Sequence, residues 1–348
     1  MSLDQNYLNS LLHKHNVAGV SFAVIRNYQL SYAQTVGFAN SEQQTELWTD
    51  TIFQGASISK TITALIIMQM YEEKKLDIDT PINNYIQAWK LPNNDWTKEC
   101  QVTARHLLCH FGGINVPTYR GYVKGDKIPT LLDVLEGKKP SNSSSVRVEM
   151  PVDEKFSYST GAFAILQLLI EELCNKSFEA IAQERIFIPL QMHRTTFLSP
   201  LPQNVERNAA AGHRKDGLPV AGGYFIYPEQ AGSSIWTNPI ELAKLAVHLQ
   251  TILRTREPGI ICVETLEEIL TPYREGSFGL GYALYQDKGE GLYFGHTGNT
   301  EGFRSMFITH AQFGNGAFIL VNSDNADPVM KEVINLIAQT ENWDGFSW

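Results

Sequence analysis

A helix that is apolar on nearly every side places the strongest constraint on how this chain can fold. It follows Ser57 and Lys60 and contains a run of apolar residues: Ala64, Leu65, Ile66, Ile67, Met68 and Met70. A helix without a polar side has to be covered all round by other elements. The sequence therefore predicts that this helix is buried and that the rest of the chain is arranged around it.

Ser57 and Lys60 stand three residues apart at the predicted start of this helix. Side chains at i and i+3 share one side of a helix, so the Lys60 amine can reach the Ser57 hydroxyl. A lysine whose pKa is lowered by burial can take the proton of a serine and make it a nucleophile. Such a spacing also arises by chance roughly once or twice in a few hundred residues. The alternative is an ordinary serine beside a solvated lysine.

Composition excludes some classes of function. The chain has 348 residues, enough for one large domain or two packed lobes, and its net charge of −9 argues against nucleic-acid binding. No apolar run reaches membrane-spanning length. Four scattered cysteines fit neither a CxxC metal site nor a disulfide framework: Cys100, Cys109, Cys174 and Cys262. Without a visible signal peptide, we expect a cytoplasmic protein if the start is native, and a periplasmic or secreted one if a leader was removed.

Strand patterns at both ends enclose a mainly helical middle. Strands are predicted at 19–25, 30–35, 279–285, 291–294, 303–309 and 316–322, and flanking helices at 7–15, 239–251 and 328–343. We therefore predict an α+β fold in which the two termini build one antiparallel sheet flanked by helices. Residues 1–76 and 231–348 would form this sheet lobe, and 77–230 an inserted helical lobe.

Three motifs follow one another in the chain: Ser57-x-x-Lys60, Tyr158-Ser-Thr160 and His296-Thr-Gly298. In this order they resemble the serine β-lactamase-like superfamily, which has the β-lactamase/transpeptidase fold. Its members include class C β-lactamases, D-Ala-D-Ala carboxypeptidases, D-aminopeptidases and related esterases. Weaker similarities at 107–114, 184–190 and 234–243 extend the resemblance over nearly the whole chain.

The resemblance implies a role for each motif residue. Ser57 would be the nucleophile that forms an acyl-enzyme, and Lys60 would take its proton or tune its base. Tyr158, as a phenolate or through Lys60, would relay protons. His296 would stabilise charge or hold a substrate carboxylate. The remaining assignments are an oxyanion hole of the Ser57 and Asn299 amides, and substrate contacts at Thr160, Thr297 and Gly298.

Two positions depart from the family pattern. Thr160 replaces an asparagine whose amide holds the substrate, which argues against efficient β-lactam turnover. His296 replaces a lysine and would carry less positive charge near neutral pH, which favours peptidase- or esterase-type members. Gly295 and Gly298 are expected to let a substrate approach the strand edge closely.

Other sequence patterns also resemble functional motifs. Residues 323–325 spell Ser-Asp-Asn, a trio found in related enzymes, but they lie at the end of the last predicted strand and are interpreted as a turn. His106 and His110 have i, i+4 spacing but lack the glutamate of a zinc-binding HExxH, so we expect no metal and no cofactor. His213 and Tyr227 are weaker candidates to line the cleft. No Gly-x-Ser-x-Gly surrounds Ser57, which argues against an α/β-hydrolase.

The sequence thus favours a serine hydrolase that cleaves an amide or ester through an acyl-enzyme on Ser57, with weak or no β-lactamase activity. The expected substrate is a small molecule or short peptide, with no nucleic acid and no membrane span, and the oligomeric state is open. Two alternatives remain: a carboxylesterase, and a non-catalytic penicillin-recognition or sensor module.

Overall fold

The computed structural model describes residues 2–274, 276–286, 291–343 and 346. The helices are α1 (Gln5–His15), α2 (Ser59–Glu72), α3 (Ala104–Leu108), α4 (Leu131–Glu136), α5 (Thr160–Cys174), α6 (Phe178–Ala182), α7 (Gln203–Glu206), α8 (Gln230–Ser233), α9 (Pro239–Thr255), α10 (Val263–Ile269) and α11 (Asp327–Thr340). The strands are β1 (Gly19–Arg26), β2 (Gln29–Asn40), β3 (Thr45–Glu46), β4 (Phe53–Ala56), β5 (Tyr122–Val123), β6 (Phe225–Ile226), β7 (Ile235–Thr237), β8 (Ala283–Gln286), β9 (Leu292–Thr300), β10 (Phe303–His310) and β11 (Gly316–Val321).

A seven-stranded sheet with the order β3-β2-β1-β11-β10-β9-β8 joins the two ends of the chain. The first strand β1 lies antiparallel to the last strand β11, with Val20 opposite Val321. The α+β prediction, with one antiparallel sheet built from both termini, is therefore confirmed. The division into lobes at 76 and 231 stays a prediction.

Both faces of this sheet are covered, which explains why β1 is an almost continuous apolar run. Successive side chains of a strand point to opposite faces. Val20, Phe22 and Val24 pack in one cluster with α1 and α11. Ala23 and Ile25 belong to the larger cluster on the other face, which also holds α2, α5 and α9.

The helix α2 lies in the interior, as its apolar sequence predicts. Every residue from Ser59 to Met70 is buried, and Ile62, Leu65 and Ile66 are fully inaccessible. It packs against α5 and α8 from the middle of the chain. A helix in this position can carry Lys60 into a water-excluded interior.

Several element boundaries differ from the prediction. β2 runs on through Gly37 to Asn40, because its far end pairs with β3. β9 continues to Thr300, so the His296-Thr-Gly motif lies within a strand. Two short strands, β4 and β7, pair with each other and were not predicted. β4 ends at the residue before Ser57. Among the described residues, no helix is both long and apolar enough to cross a membrane.

Candidate active site

A sharp turn between β4 and α2 presents Ser57. Ala56 has φ +51°, a left-handed conformation that is uncommon for a residue with a side chain. Ser59 holds the turn, since its hydroxyl donates to the Ala56 carbonyl at 2.6 Å and accepts from the Ile235 amide at 3.0 Å. Ser57 precedes the first residue of α2 by two positions. Although Ser57 lies outside α2, a tight turn holds it on the same side as Lys60, as the i, i+3 spacing predicts. In this turn the Lys60 amide donates to the Ser57 carbonyl at 3.0 Å.

The Lys60 amine is fully buried and hydrogen-bonded on several sides. It donates to Ser57 Oγ at 3.0 Å and to the Gly232 carbonyl at 2.8 Å. A longer bond of 3.3 Å runs to Thr160 Oγ1. Burial lowers the pKa of Lys60 to about 7. A large fraction of the amine is therefore neutral near pH 7 and able to accept a proton.

Tyr158 approaches Ser57 from the opposite side. Its hydroxyl donates to Ser57 Oγ at 2.9 Å. Burial raises the pKa of Tyr158 to about 12, although the hydrogen bond with Ser57 acts in the other direction. Tyr158 therefore carries its proton at neutral pH, and of the two groups that touch Ser57 Oγ, Lys60 is the one suited to act as a base.

Thr160 supports Lys60 instead of presenting a free donor. Its hydroxyl accepts from Lys60 and donates to the Pro117 carbonyl at 2.9 Å. Thr160 lines the cleft, but its one hydroxyl hydrogen is engaged. A direct substrate contact by Thr160 stays a prediction.

The strand β9 forms another wall of the cleft. His296, Thr297, Gly298 and Asn299 all line it together with Ser57. β8 pairs with β9 only from Leu292 to Gly295. Among the described residues, no strand pairs with Thr297–Asn299 on that side, so this edge is free to hydrogen-bond with a substrate backbone.

Gly295 and Gly298 of β9 lie in close contact with neighbouring backbone. That they also let a substrate approach the strand edge stays a prediction. A Cβ on Gly298 would lie 2.4 Å from the Gly55 carbonyl oxygen and 2.2 Å from Ser305 Oγ. A Cβ on Gly295 would lie 1.9 Å from the Phe307 carbonyl oxygen. Gly298 therefore lets β9 lie directly against β4. The oxyanion hole of the Ser57 and Asn299 amides stays a prediction.

His296 is buried and neutral. Burial, assisted by the nearby Lys60, lowers the pKa of His296 to about 3, while a hydrogen bond with Thr297 acts in the other direction. His296 therefore carries little positive charge, as its replacement of a lysine suggests. Its expected role, to stabilise charge or hold a substrate carboxylate, stays a prediction. Sequence reasoning allowed for a reduced charge, but it could not foresee that only 4% of His296 is exposed.

The site opens into a cleft with a volume of about 960 Å³. Tyr119, Tyr227 and Phe278 add aromatic surface to its walls. Arg120 and Lys215 line its rim. A cleft of this size accommodates a small molecule or a short peptide.

The sequence model of the Beta-lactamase family matches residues 5–341. The chain belongs to this family. It is a serine hydrolase of the β-lactamase fold.

Curated relatives of this chain include a penicillin-binding protein and a teichoic acid D-alanine hydrolase. Penicillin-binding protein 4 of Amycolatopsis lactamdurans is 26% identical over 198 residues, which cover 56% of this chain and 48% of that protein. Teichoic acid D-alanine hydrolase of Staphylococcus aureus is 22% identical over 245 residues, covering 70% of this chain and 56% of that protein. This chain thus spans about half the length of these two relatives.

Solved structures of the same fold match over almost the whole chain. An octameric penicillin-binding protein homologue from Pyrococcus abyssi has a TM-score of 0.77 and 24% identity, with 97% of this chain and 78% of that chain covered. D-amino acid amidase from Ochrobactrum anthropi SV3, in complex with L-phenylalanine, has a TM-score of 0.75 and 21% identity, with 97% and 98% covered. At this identity the match shows the Beta-lactamase fold alone.

Two contributors to this Beta-lactamase-family site were missed by sequence reasoning. The Gly232 carbonyl, an acceptor for Lys60, carries no side-chain signature that a sequence could reveal. The ring of His110 lies 4.3 Å from that of Tyr158 and accepts a hydrogen bond from the Ser159 amide. Sequence analysis considered His110 only as a metal ligand or packing residue. In the structure it supports the face of Tyr158.

The competing motifs have structural partners. Ser323 accepts from the Ala18 amide, and Asp324 pairs with Arg304 at 3.3 Å, so the 323–325 stretch fastens the end of the sheet. The ring of His213 bridges the Asn322 carbonyl and the Ser41 amide.

His213 is fully buried and is absent from the cleft lining, whereas Tyr227 lines the cleft. Among the residues described, no group of three His, Cys, Asp or Glu side chains is placed to hold a metal ion.

Proposed function

We propose that this enzyme cleaves small amides or esters through a covalent acyl-enzyme on Ser57. The observation that carries the proposal is the geometry around one atom. Ser57 Oγ accepts hydrogen bonds from both Lys60, at 3.0 Å, and Tyr158, at 2.9 Å, at the wall of an open cleft. A hydroxyl flanked by a base and a proton donor is arranged for nucleophilic catalysis.

Acylation begins when neutral Lys60 takes the Ser57 proton and Oγ attacks the substrate carbonyl carbon. The resulting oxyanion lies between the backbone amides of Ser57 and Asn299. Tyr158 then gives its phenolic proton to the leaving amine or alcohol, and the Lys60 ammonium returns one to Tyr158. The proton lost by Ser57 thus ends on the leaving group, and Lys60 is neutral again.

Deacylation reverses the proton path. Lys60, through Tyr158, takes a proton from the attacking water, and the tetrahedral intermediate collapses to release the acid. The same proton returns to Ser57 Oγ. The burial that lowers the pKa of Lys60 to about 7 suits it to accept and return a proton in both halves of the cycle.

A D-amino-acid acyl group is the substrate class that relatives favour. The names of two similar proteins contain D-alanine hydrolase and D-amino acid amidase. In this chain the engaged hydroxyl of Thr160 leaves no free amide or hydroxyl donor at the position where β-lactamases place an asparagine. We therefore propose an amidase or esterase of D-amino-acid derivatives, with weak or no turnover of β-lactams. A carboxylesterase is the alternative within the same mechanism.

The test is the intact mass of the protein after incubation with a fluorophosphonate probe and, separately, with a penicillin. We expect one phosphonyl adduct in the wild type and none in Ser57→Ala. The control Ser144→Ala removes an exposed serine and should label normally. A wild type without an adduct would overturn the proposal. A penicillin adduct that never decays, together with no hydrolysis of D-alanyl amides or esters, would indicate the sensor alternative.

A further inference from the structure

The ring of His296 is held in one tautomer. Its Nδ1 lies 2.5 Å from the Thr297 carbonyl oxygen. A carbonyl can only accept, so Nδ1 carries the ring hydrogen. The other nitrogen, Nε2, is then an unprotonated acceptor. Nε2 is buried and has no hydrogen-bond partner among the described residues.

The surroundings of this ring oppose a positive charge. The ring centroids of Phe278 and Tyr158 lie 5.8 Å and 6.1 Å from that of His296. Lys60, on the other side of Tyr158, adds repulsion whenever it is protonated. The part of the cleft beside Thr297 is therefore walled by aromatic rings and a neutral imidazole.

Cationic groups of the cleft lie elsewhere or are already paired. Arg304 is committed to Asp324 at 3.3 Å and to the Thr300 carbonyl at 3.1 Å. Lys215 lies near the β9–β10 turn, because the preceding residues 212–213 contact Gly302 in that turn. At a rise of about 3.3 Å per residue, the turn is roughly 10 Å or more from Thr297 along β9. Arg120 lines the cleft and is exposed to solvent.

We propose that the substrate group lying against Thr297 is uncharged, so that the enzyme cleaves amino-acid amides and esters in preference to peptides that end in a free carboxylate. The inference rests on the proposed function and narrows its substrate class. A carboxylate placed here would lose its water and meet aromatic faces. His296 would offer it no donor, because its Nδ1–H is engaged by the Thr297 carbonyl and its Nε2 is inaccessible. A carboxamide or ester carries no charge that needs such a partner.

A matched pair of substrates tests this. N-acetyl-D-alanyl-D-alanine and its C-terminal amide share the bond between the two alanines, and kcat/KM is compared for that bond alone, by the release of D-alanine or of D-alanine amide. We expect kcat/KM to be at least tenfold higher for the amide, and the amide to protect Ser57 better against fluorophosphonate labelling. His296→Lys should reduce the preference at least tenfold. His296→Gln, which adds no charge, should retain it.

A second readout does not depend on turnover. ¹⁵N NMR of histidine-labelled protein, with His296 assigned by its absence in His296→Gln, should show the neutral Nδ1–H tautomer from pH 5 to 9. An imidazolium at pH 7, or equal or better hydrolysis or protection by the free acid, would overturn the inference. Failure of Ser57 to react with the fluorophosphonate would instead overturn the proposed function, and the NMR result would still decide the state of His296.

Discussion

In the proposed mechanism, the protonation state of Lys60 controls whether Ser57 can react. Below pH 7 the amine is increasingly protonated and cannot accept the Ser57 proton, because burial lowers its pKa to about 7. His296, with a pKa of about 3, and Tyr158, with a pKa of about 12, titrate far from this region. A single ionisation should therefore dominate the acid limb of the rate profile.

We predict that the rate constant for labelling of Ser57 by a fluorophosphonate rises with pH and levels off above a midpoint near 7. Below the midpoint it should fall about tenfold per pH unit, since one proton blocks the base. Lys60→Met should label at least about 100-fold more slowly, without this midpoint. A flat profile between pH 5 and 8 in the wild type would contradict the role of Lys60.

Glu229 is a buried acid outside the proposed mechanism. It is fully inaccessible, and neither carboxylate oxygen has a hydrogen-bond partner among the described residues. Burial raises the pKa of Glu229 from 4.5 to about 8, against a small opposing effect of its own backbone amide. Gly232, whose carbonyl accepts from Lys60, donates its amide to the Glu229 carbonyl at 3.2 Å.

We predict that Glu229→Gln gains stability relative to the wild type as pH rises. Between pH 4.5 and 8 the unfolded chain loses the Glu229 proton while the folded protein keeps it. Wild-type stability therefore falls across this window by up to about 1.4 kcal/mol per pH unit, and the glutamine variant lacks this loss. Urea unfolding at pH 5 and pH 8 measures the difference. The exposed Glu154→Gln is the control, and equal differences at both pH values for Glu229→Gln would refute the assignment.

At the scale of elements, the site depends on how closely β9 lies against β4. Gly298 leaves no gap between the two strands, and Ser305 on β10 donates to the Gly55 carbonyl at 2.8 Å. The turn that carries Ser57 begins one residue after Gly55. In the proposed mechanism, a displacement of β9 would therefore separate the Asn299 amide from Ser57 without changing a catalytic side chain.

Gly298→Ala is expected to reduce activity by about 100-fold, because misplacing reacting groups by about 1 Å has effects of that size. The new methyl group would lie 2.4 Å from the Gly55 carbonyl oxygen, which is backbone and cannot turn aside. Removing the other close neighbour in Gly298→Ala/Ser305→Ala should not restore activity. Steady-state hydrolysis of a D-alanyl ester measures this, with Ser305→Ala alone as the control. Full activity in the single Gly298 variant would show that the strands can separate harmlessly.

The local parts of this site were predictable, and the parts made by distant contacts were not. Ser57 and Lys60 are linked by helical spacing, which a sequence displays directly. Tyr158 and His296 were found only because their motifs resemble a family. The Gly232 carbonyl reaches Lys60 across 172 positions through the fold, and the neutral state of His296 results from burial by Tyr158 and Phe278.

The same limit applies to the fold. Apolar runs predicted the strands that pair the two chain ends, because strands buried on both faces consist mainly of apolar residues. The strand ends were misplaced where pairing with a distant partner decides them, as in the extension of β2 to β3. β4 and β7 are four and three residues long and carry too little pattern to recognise.

At the scale of the whole molecule, the sheet and the helical middle share one hydrophobic core. A single cluster of buried residues runs from Ile25 and Leu320 in the sheet to Val134 and Leu169 in the helical region. The helix α2 lies within this cluster and carries Lys60. The sheet has a second cluster on its other face, with α1 and α11. Because the larger cluster still joins the sheet to the helical region, we expect the chain to unfold as one cooperative unit.

Leu169→Ala in α5 and Leu320→Ala in β11 test this expectation. Both side chains are fully buried, so each variant should lose about 2–5 kcal/mol of unfolding free energy. Because one core serves both regions, either change should shift the urea transitions of far-UV circular dichroism and of Ser57 labelling together. Independent lobes would respond differently: Leu169→Ala would produce an early transition in one probe while the sheet stayed folded. Coincident transitions in both variants would show that the catalytic site depends on the whole chain. Ser57 and Lys60 would then keep their geometry only while both regions are folded.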